Sequence, residues 1–501
     1  MAVAPTELLE LAKNRRPIES VSPPEQKPNS ALDSLQQHGT YLLEQQKDRL
    51  EHVCHPSGRD ATGPIDHALS HGIYDIITNE EGKIVNVFID FTSHWFTSIL
   101  DRFKHANLND PYYLWLLGVL AQEKGTPTEN VSWIEMAFVD IMQSFFTKEE
   151  VEKDNFVVLP VSTGSLGVTD AIDTAKGLIS EKYLLKDREN GLFTNHLKGI
   201  AFESGFHGRV DDAAEATANQ AKTGHKWQGN VEHVFTPTVE YNLDGSINEE
   251  LTKRRKQISF EELEKYLVKD EYAYLIVEYP IQAEGGVNIF DKQTLIEISD
   301  LCKKYGKLLI VDDVQMGGRT WTVEEDFVSP FAEEVIELAD IVTFGKVFHA
   351  NGSVYNLKNI KEKGLSPKYI KDHALHYGGT HTSDFANMLS GAMIMKTIME
   401  EELWKNALDK TDEIYQAIKN LSSVFPELIN TVRKADNTAY MAWSFKDQAT
   451  RDKFKKFMFD NEYIKLLTAG ETSIRFAPPA DMDNDEVAGL MGAIERQMVN
   501  L

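Results

Sequence analysis

An α/β fold with a mainly parallel sheet, followed by a smaller α+β lobe, is what the hydropathy pattern of this chain predicts. Five short apolar runs recur: VVLPV (157–161), GIAFES (199–204), YLIVEYP (274–280), KLLIVDDV (307–314) and DIVTFG (340–345). Helical patterns lie between them, which is the arrangement of parallel strands buried on both faces and joined by helices. A second pattern starts near residue 386, with helical periodicity over 393–421 and mixed pieces up to EVAGLMGAIERQMVNL (486–501). A third stands near the front, where GIYDIIT (72–78) and NVFIDFTS (86–93) flank NEEGK, a hairpin signal.

In chain order, residues 1–65 are rich in Pro, Gln, Ser and charge and predict an N-terminal extension, with 30–53 as its helical stretch. Residues 66–110 are expected to form the N-terminal part of a small domain, 111–385 a large domain and 386–501 the C-terminal part of the small one. A chain of 501 residues can bury more than one core. Its net charge of −26 speaks against nucleic acid or an anionic membrane as partner. The basic run Lys253, Arg254, Arg255, Lys256 reads as a solvated helix face. Two cysteines, Cys54 and Cys302, are too few for a disulfide framework and fit a reducing compartment. The richest apolar stretch, YLWLLGVLA (113–121), has the length of a core helix rather than a membrane span. Glu7 and Glu10 beside Arg15 and Arg16 speak against a transit peptide, so the cytoplasm is the expected location.

The chemistry is expected at the carboxyl ends of two of these strands. KLLIVDDV releases Asp312, and DIVTFGK releases a lone lysine, Lys346. This pair suits pyridoxal 5'-phosphate: the lysine would hold the cofactor covalently and the carboxylate would pair with its protonated ring nitrogen. The phosphate needs small residues at a helix start, where free N–H groups and the helix dipole attract an anion. VSTGSLGVTDAIDTAKGLIS (161–180) supplies them with Gly164 and Ser165. Small residues before a helix are, however, more often only a cap. The loop after GIAFES carries Phe206 and Arg209, an aromatic ring able to stack on the pyridine and a guanidinium able to fork onto a carboxylate. A core aromatic and a surface arginine are the bland alternatives. No G-x-G-x-x-G and no Walker A pattern is present, against dinucleotide or nucleoside triphosphate binding.

FHGR, PIQAEGG, IVDDVQMGG and TFGK occur in that order, followed by GGTHTSDFANML (378–389) and AGETSIRFAPPADM (469–482). Together they resemble the class III, or omega-type, aminotransferases of fold type I that use pyridoxal phosphate, and within them the 4-aminobutyrate and lysine 6-aminotransferase branch. The resemblance implies a transaminase moving the terminal amino group of an omega-amino acid to 2-oxoglutarate, giving a semialdehyde and glutamate. It implies that Lys346 holds the cofactor and shuttles the proton, and that Asp312 keeps the ring nitrogen protonated. Gln315 would bond the ring oxygen, Phe206 would stack, and Gly164 and Ser165 would take the phosphate together with Thr380 of a second subunit. Arg209 would bind the far carboxylate of the donor. Glu284 and Arg475 would pair when an omega-amine enters and part when the α-carboxylate of glutamate arrives. A homodimer with sites at its interface is the implied assembly, with an amino donor and a 2-oxo acid as partners.

Several positions depart from the family's pattern. Asp313 stands where glutamate is usual, Tyr279 precedes the proline and sets Glu278 one residue out of register, and Gly378, Gly379 and Thr380 stand where lysine 6-aminotransferases tend to have Asn-Ser-Thr. The segment from Lys346 to Thr380 is also longer. A Cys-x-x-Cys pattern is absent, so no iron–sulfur cluster is expected. Nor is another metal expected from His52, Cys54, His55, His67 and His71, because polar extensions collect histidines and the HEXXH glutamate is missing. His373, His376 and His381 read as surface or subunit contacts; His94 and Trp95 lie where relatives line the substrate entrance. Two other readings stay open: a same-fold enzyme with another outcome (aminomutase, racemase or decarboxylase) and a non-catalytic binding protein.

Overall fold

The strand Leu308–Asp312 is buried along its whole length, as is Tyr272–Val277, and the two pair in parallel. Their side chains alternate between two apolar layers, with Leu275, Val277, Leu309 and Val311 on one and Tyr274, Ile276, Leu308 and Ile310 on the other. Burial on both faces is why these segments read as continuous apolar runs. The connecting helix, Lys292–Tyr305, starts where the Asp291 side chain accepts from the backbone N–H of Thr294. It stops at Gly306, whose φ of 64° is a left-handed conformation that favours glycine.

The computed structural model describes residues 70–78, 84–92, 96–123, 132–187, 197–218, 229–242, 245–373 and 383–501. Its central sheet has seven strands, in the order Phe156–Val161, Asn351–Asn356, Ile341–Phe344, Leu308–Asp312, Tyr272–Val277, Lys198–Phe202 and Val231–Val234. All run in one direction except Asn351–Asn356. Each of the five apolar runs is a strand of this sheet, so the α/β expectation with a mainly parallel sheet holds. The hairpin is also present, with Tyr74–Thr78 antiparallel to Ile84–Asp90.

That hairpin receives a parallel third strand, Ile464–Lys465, from far along the chain. Its Ile73, Val87 and Phe91 share an apolar cluster with Ile418, Trp443, Met458 and Ile494. A four-stranded antiparallel sheet, Ile429–Lys434, Met441–Phe445, Ser473–Phe476 and Leu467–Ala469, belongs to the same region. The helical stretch before it is two helices, Phe385–Glu400 and Leu403–Val424, the second entered through Glu402 at φ 50°. A smaller cluster containing Phe96, Ile281, Met316, Tyr440 and Ala442 joins the two regions beside the carboxyl ends of the central strands. In the basic run, Lys253 and Arg254 are exposed, while Arg255 and Lys256 pair with Glu240 and Asp291. Among the described residues no helix is long and apolar enough to cross a membrane. The helix expected at 30–53 lies outside the described residues.

Candidate active site

Parallel pairing sets Thr343 opposite Asp312, so the two strands release Asp312 and, three residues past Thr343, Lys346 at the same edge. Lys346 opens a short 3-10 turn, Lys346–Phe348, at φ 49°, a conformation that strains a residue with a Cβ. Its ammonium donates to Oε1 of Gln315. Burial lowers the Lys346 pKa to about 8; Arg475 pushes the same way and Glu284 opposes them. Gln315 in turn donates from Nε2 to the Tyr440 hydroxyl at 3.3 Å.

Asp312 is held from three sides. It accepts from Thr343 Oγ1 at 2.9 Å and from the Val314 N–H at 3.2 Å, and Nδ1 of His207 lies 2.8 Å from its Oδ2. Asp313 points elsewhere. Its carboxyl is fully buried with no hydrogen-bond partner among the described residues, and burial pushes its pKa well above the usual carboxylate range. Asp312 thus faces the cavity as the hydrogen-bonded carboxylate, and Asp313 is buried in the core.

The cavity, about 620 Å³, is bounded by Lys346, Asp312 and Gln315 at its floor and by Gly164 and Ser165 at one end. Phe206, Arg209 and Glu284 also face it. Gly164 is the first residue of the helix Gly164–Asp187, so its unfilled N–H groups open into this space. The cradle is too tight for side chains: a Cβ on Gly164 would lie 2.9 Å from Val314 Cγ1, and one on Gly208 would lie 1.9 Å from Ser165 Oγ. Ser165 Oγ accepts from the Arg209 N–H at 2.9 Å, tying the helix start to the FHGR loop. The Arg209 guanidinium sits 5.7 Å from the Phe206 ring, and its Nε is buried without a hydrogen-bond partner among the described residues. At the other wall Arg475 Nη2 and Glu284 Oε1 are 2.6 Å apart. Arg475 is buried, with its guanidinium 5.5 Å from the Phe96 ring.

The residues present fit pyridoxal phosphate. The tight helix start suits a phosphate, the supported carboxylate suits a protonated ring nitrogen, and the buried amine of lowered pKa suits covalent attachment. Of the sequence-predicted residues, Lys346, Asp312, Gln315, Gly164, Ser165, Phe206, Arg209 and Glu284 line this one cavity, and Arg475 pairs at its wall. Thr380 lies outside the described residues, as do Gly378, Gly379, His376, His381, His94, Trp95, His52, Cys54, His55 and His67. His71 is buried with Nδ1 2.8 Å from Asp101, a structural contact. Among the described residues no group of three or more His, Cys, Asp or Glu could hold a metal.

Sequence reasoning missed four neighbours: His207 and Thr343 on Asp312, Tyr440 on Gln315, and Glu278. Glu278 lines the cavity and accepts from the Phe206 N–H at 3.0 Å, even though Tyr279 separates it from the proline. Burial raises its pKa to about 7, with His207 opposing. The signal for His207 was its place in FHGR. Thr343 and Tyr440 gave none, because only the sheet register and the approach of the second lobe bring them in.

A model of the family described as aminotransferase class-III matches residues 133–498. The mitochondrial acetylornithine aminotransferase of Saccharomyces cerevisiae is 26% identical over 312 residues, covering 62% of this chain and 66% of that protein. The 4-aminobutyrate aminotransferase of Kluyveromyces lactis is 26% identical over 312 residues, covering 60% and 61%. The L-lysine-epsilon aminotransferase of Amycolatopsis lactamdurans is 23% identical over 332 residues, covering 65% and 69%. The match thus spans 61–69% of the length of these curated relatives. Among solved structures, lysine aminotransferase from M. tuberculosis superposes with a TM-score of 0.74 at 19% identity, covering 90% of this chain and 98% of that one. That likeness shows the shared fold.

Proposed function

This chain belongs to the class-III aminotransferases, and from that premise we propose that it is a pyridoxal-phosphate-dependent transaminase. It moves the terminal amino group of an omega-amino acid, of the 4-aminobutyrate or lysine kind, to 2-oxoglutarate, giving a semialdehyde and glutamate. The observation that carries this reading is the closed Glu284–Arg475 pair beside an Arg209 whose Nε has no hydrogen-bond partner among the described residues. One guanidinium is open to a substrate carboxylate and the other is masked by a carboxylate that can turn away. A single pocket can then accept two charge patterns in succession.

When bound, pyridoxal phosphate supplies a ring that withdraws electrons from the substrate carbon. The chain's own residues do the rest. Gly164 and Ser165 hold the phosphate, with Thr380 of the partner subunit. Asp312, braced by His207 and Thr343, holds the proton on the ring nitrogen. Gln315 takes the ring oxygen and Phe206 covers the ring. Lys346, with its pKa lowered to about 8, presents far more free amine near neutral pH than an ordinary lysine and would take the proton from the substrate carbon and return it elsewhere. Arg209 orients the donor by its distal carboxylate, placing the terminal amine at Lys346.

We further group residues 66–110 with 386–501 as one small domain, since the hairpin pairs with Ile464–Lys465 and shares its apolar cluster. Residues 111–385 form the large domain and 1–65 an extension. The active assembly is a homodimer, and the cytoplasm is its location.

The test is an amino-donor panel (4-aminobutyrate, lysine, ornithine, β-alanine) with 2-oxoglutarate, following glutamate formation. An omega-amino donor is expected to lead. Glutamate formation with none of them would overturn the reading only in part; proton exchange or decarboxylation of the donor without glutamate would replace it. Arg475→Ala is expected to slow the 2-oxoglutarate half-reaction by about 30- to 150-fold, the value of a lost buried charge-assisted contact of about 2–3 kcal/mol. The amine half-reaction should change much less. Equal losses would contradict the switch.

A further inference from the structure

Glu284 has to leave Arg475 and return to it, yet its backbone is fastened to the strand that carries Arg475. Ser473 and Arg475 lie two residues apart on Ser473–Phe476 and so face the same side. Glu284 and Gly286 are likewise two apart, and the two pairs meet as two rungs. The first rung is the Glu284–Arg475 ion pair at 2.6 Å. The second is a polar knot at the Gly286 carbonyl. Arg433 Nη2 donates to that carbonyl at 2.8 Å and lies 2.8 Å from both Ser444 Oγ and Ser473 Oγ, which are themselves 2.8 Å apart. Strand pairing sets Ser444 opposite Ser473 and Arg433 opposite Ala442, so the knot is built on neighbouring strands.

Other contacts hold the same turn. The Gly470 N–H donates to the Glu284 carbonyl at 3.1 Å. A Cβ on Gly470 would lie 2.9 Å from Gly286 Cα, and one on Gly285 would lie 2.5 Å from Ser204, so the turn is clamped between two backbones. Only the Glu284 side chain is left to move. Of the clamping groups, Arg433 alone is a charged side chain reaching across from a different strand to a carbonyl in the turn.

We propose that Arg433 is a positioning residue for substrate exchange: by holding the Gly286 carbonyl it fixes the Glu284 backbone, so that the switch opens and closes by side-chain rotation alone. This rests on the reading of Glu284 and Arg475 as the switch. Without Arg433 the turn gains freedom only when the ion pair is open, so the open state becomes more populated. Arg475 is then unmasked more of the time. Carboxylate binding gains, and the amine half-reaction, which needs Arg475 masked, loses.

Calorimetry of glutarate binding to the cofactor-free protein, together with both half-reactions of the holoenzyme, tests this. Arg433→Met is expected to tighten glutarate binding about fivefold, equivalent to about 1 kcal/mol. It should raise KM for the omega-amino donor without lowering kcat/KM for 2-oxoglutarate. Arg433→Lys, which retains one charged donor, should shift both less. Unchanged glutarate affinity, or equal losses in both half-reactions, would overturn the proposal. Glu284→Gln separates the two ideas: if it leaves glutarate affinity unchanged, the switch reading itself fails, whereas a response to it but not to Arg433→Met sinks the proposal alone. Should Arg433→Met not fold, Ser473→Ala loosens the same knot with a smaller change in volume. It must move glutarate affinity in the same direction, and no shift there refutes the proposal.

Discussion

Lys346 is buried among two arginines, Arg475 and Arg319, and two glutamates, Glu284 and Glu278, and its chemistry follows first from that burial. Burial is the largest cause of its lowered pKa, Arg475 the next, and Glu284 the main opposing influence. In the cofactor-free protein, acylation of Lys346 by an amine-directed reagent, read by peptide mass spectrometry, should therefore rise with pH about a midpoint near 8. The signs of the neighbours are fixed. Removing the positive charge in Arg475→Met stabilises the ammonium and moves the midpoint up. Removing the negative charge in Glu284→Gln moves it down. Each unit of movement is about a tenfold change in the free-amine fraction at a given pH. A midpoint at the ordinary lysine value in all three proteins would contradict this account of the site. The same scale explains why Asp312 and not Asp313 serves the site. Adjacent residues of a strand point to opposite faces, and Asp312 meets His207, Thr343 and Val314 while Asp313 has no hydrogen-bond partner for its carboxyl among the described residues.

The central strands could be read from the sequence because each is apolar on both faces and ends in charge or glycine. Their neighbours could not. Nothing within DIVTFG says that it lies beside KLLIVDDV, and so nothing assigned Thr343 to Asp312. The strands Asn351–Asn356 and Val231–Val234 were not anticipated either. NGSVYN is fully polar at one end and depends on close packing, with a Cβ on Gly352 reaching 2.2 Å from the Leu159 carbonyl and Ser353 Oγ donating to the Gly167 carbonyl. Close packing also links the helix Phe385–Glu400 to the reactive turn. A Cβ on Gly391 would lie 1.9 Å from the Phe348 carbonyl, two residues past Lys346. By helix propensity alone Gly391→Ala would stabilise by about 1 kcal/mol. Overpacking against backbone costs about 1–3 kcal/mol and outweighs it. Denaturant unfolding should show net destabilisation, and a variant as stable as the parent would contradict the contact. His105 supplies a second link between elements, with Nδ1 2.8 Å from Glu401 and Nε2 3.1 Å from Asp481. Burial lowers its pKa, but the two carboxylates prevail and raise it above the ordinary histidine value. Nearby, Lys104 pairs with Glu486 and Asp483, and His71 with Asp101. Because the folded-state pKa is the higher one, the stabilisation is complete below the unfolded-state value near 6.5 and is lost as pH rises through the folded-state value. The difference in melting temperature between the parent and His105→Gln should therefore shrink from pH 6 to pH 8.

At the scale of the whole molecule, Tyr112, Trp115 and Trp133 are 67%, 58% and 65% exposed, and Met136 and Leu114 join them on the helices Pro111–Glu123 and Trp133–Ser144. Aromatic residues of this size offer about 150–250 Å² each, so the patch is on the order of 350 Å², and it is the surface we assign to the proposed dimer contact. The net charge of −26 on each copy opposes association, but salt at physiological strength screens beyond about 8 Å. Apolar burial at about 25 cal/mol per Å² is not screened, so the proposed dimer is expected to persist in salt. Sedimentation should report a dimer that raised salt does not dissociate, and Trp115→Glu combined with Trp133→Glu should give a folded monomer. The proposed sharing of sites gives a sharper test. Lys346→Ala and Thr380→Val should each be impaired alone. Mixed as unfolded chains and refolded together, they form heterodimers in which one site has lost both residues and the other has kept both. If the two variants pair at random, half of the dimers are mixed and half of the sites in those are intact, so about a quarter of the parent activity should return. No recovery, with heterodimers confirmed by mass, would mean that Thr380 serves its own subunit or none.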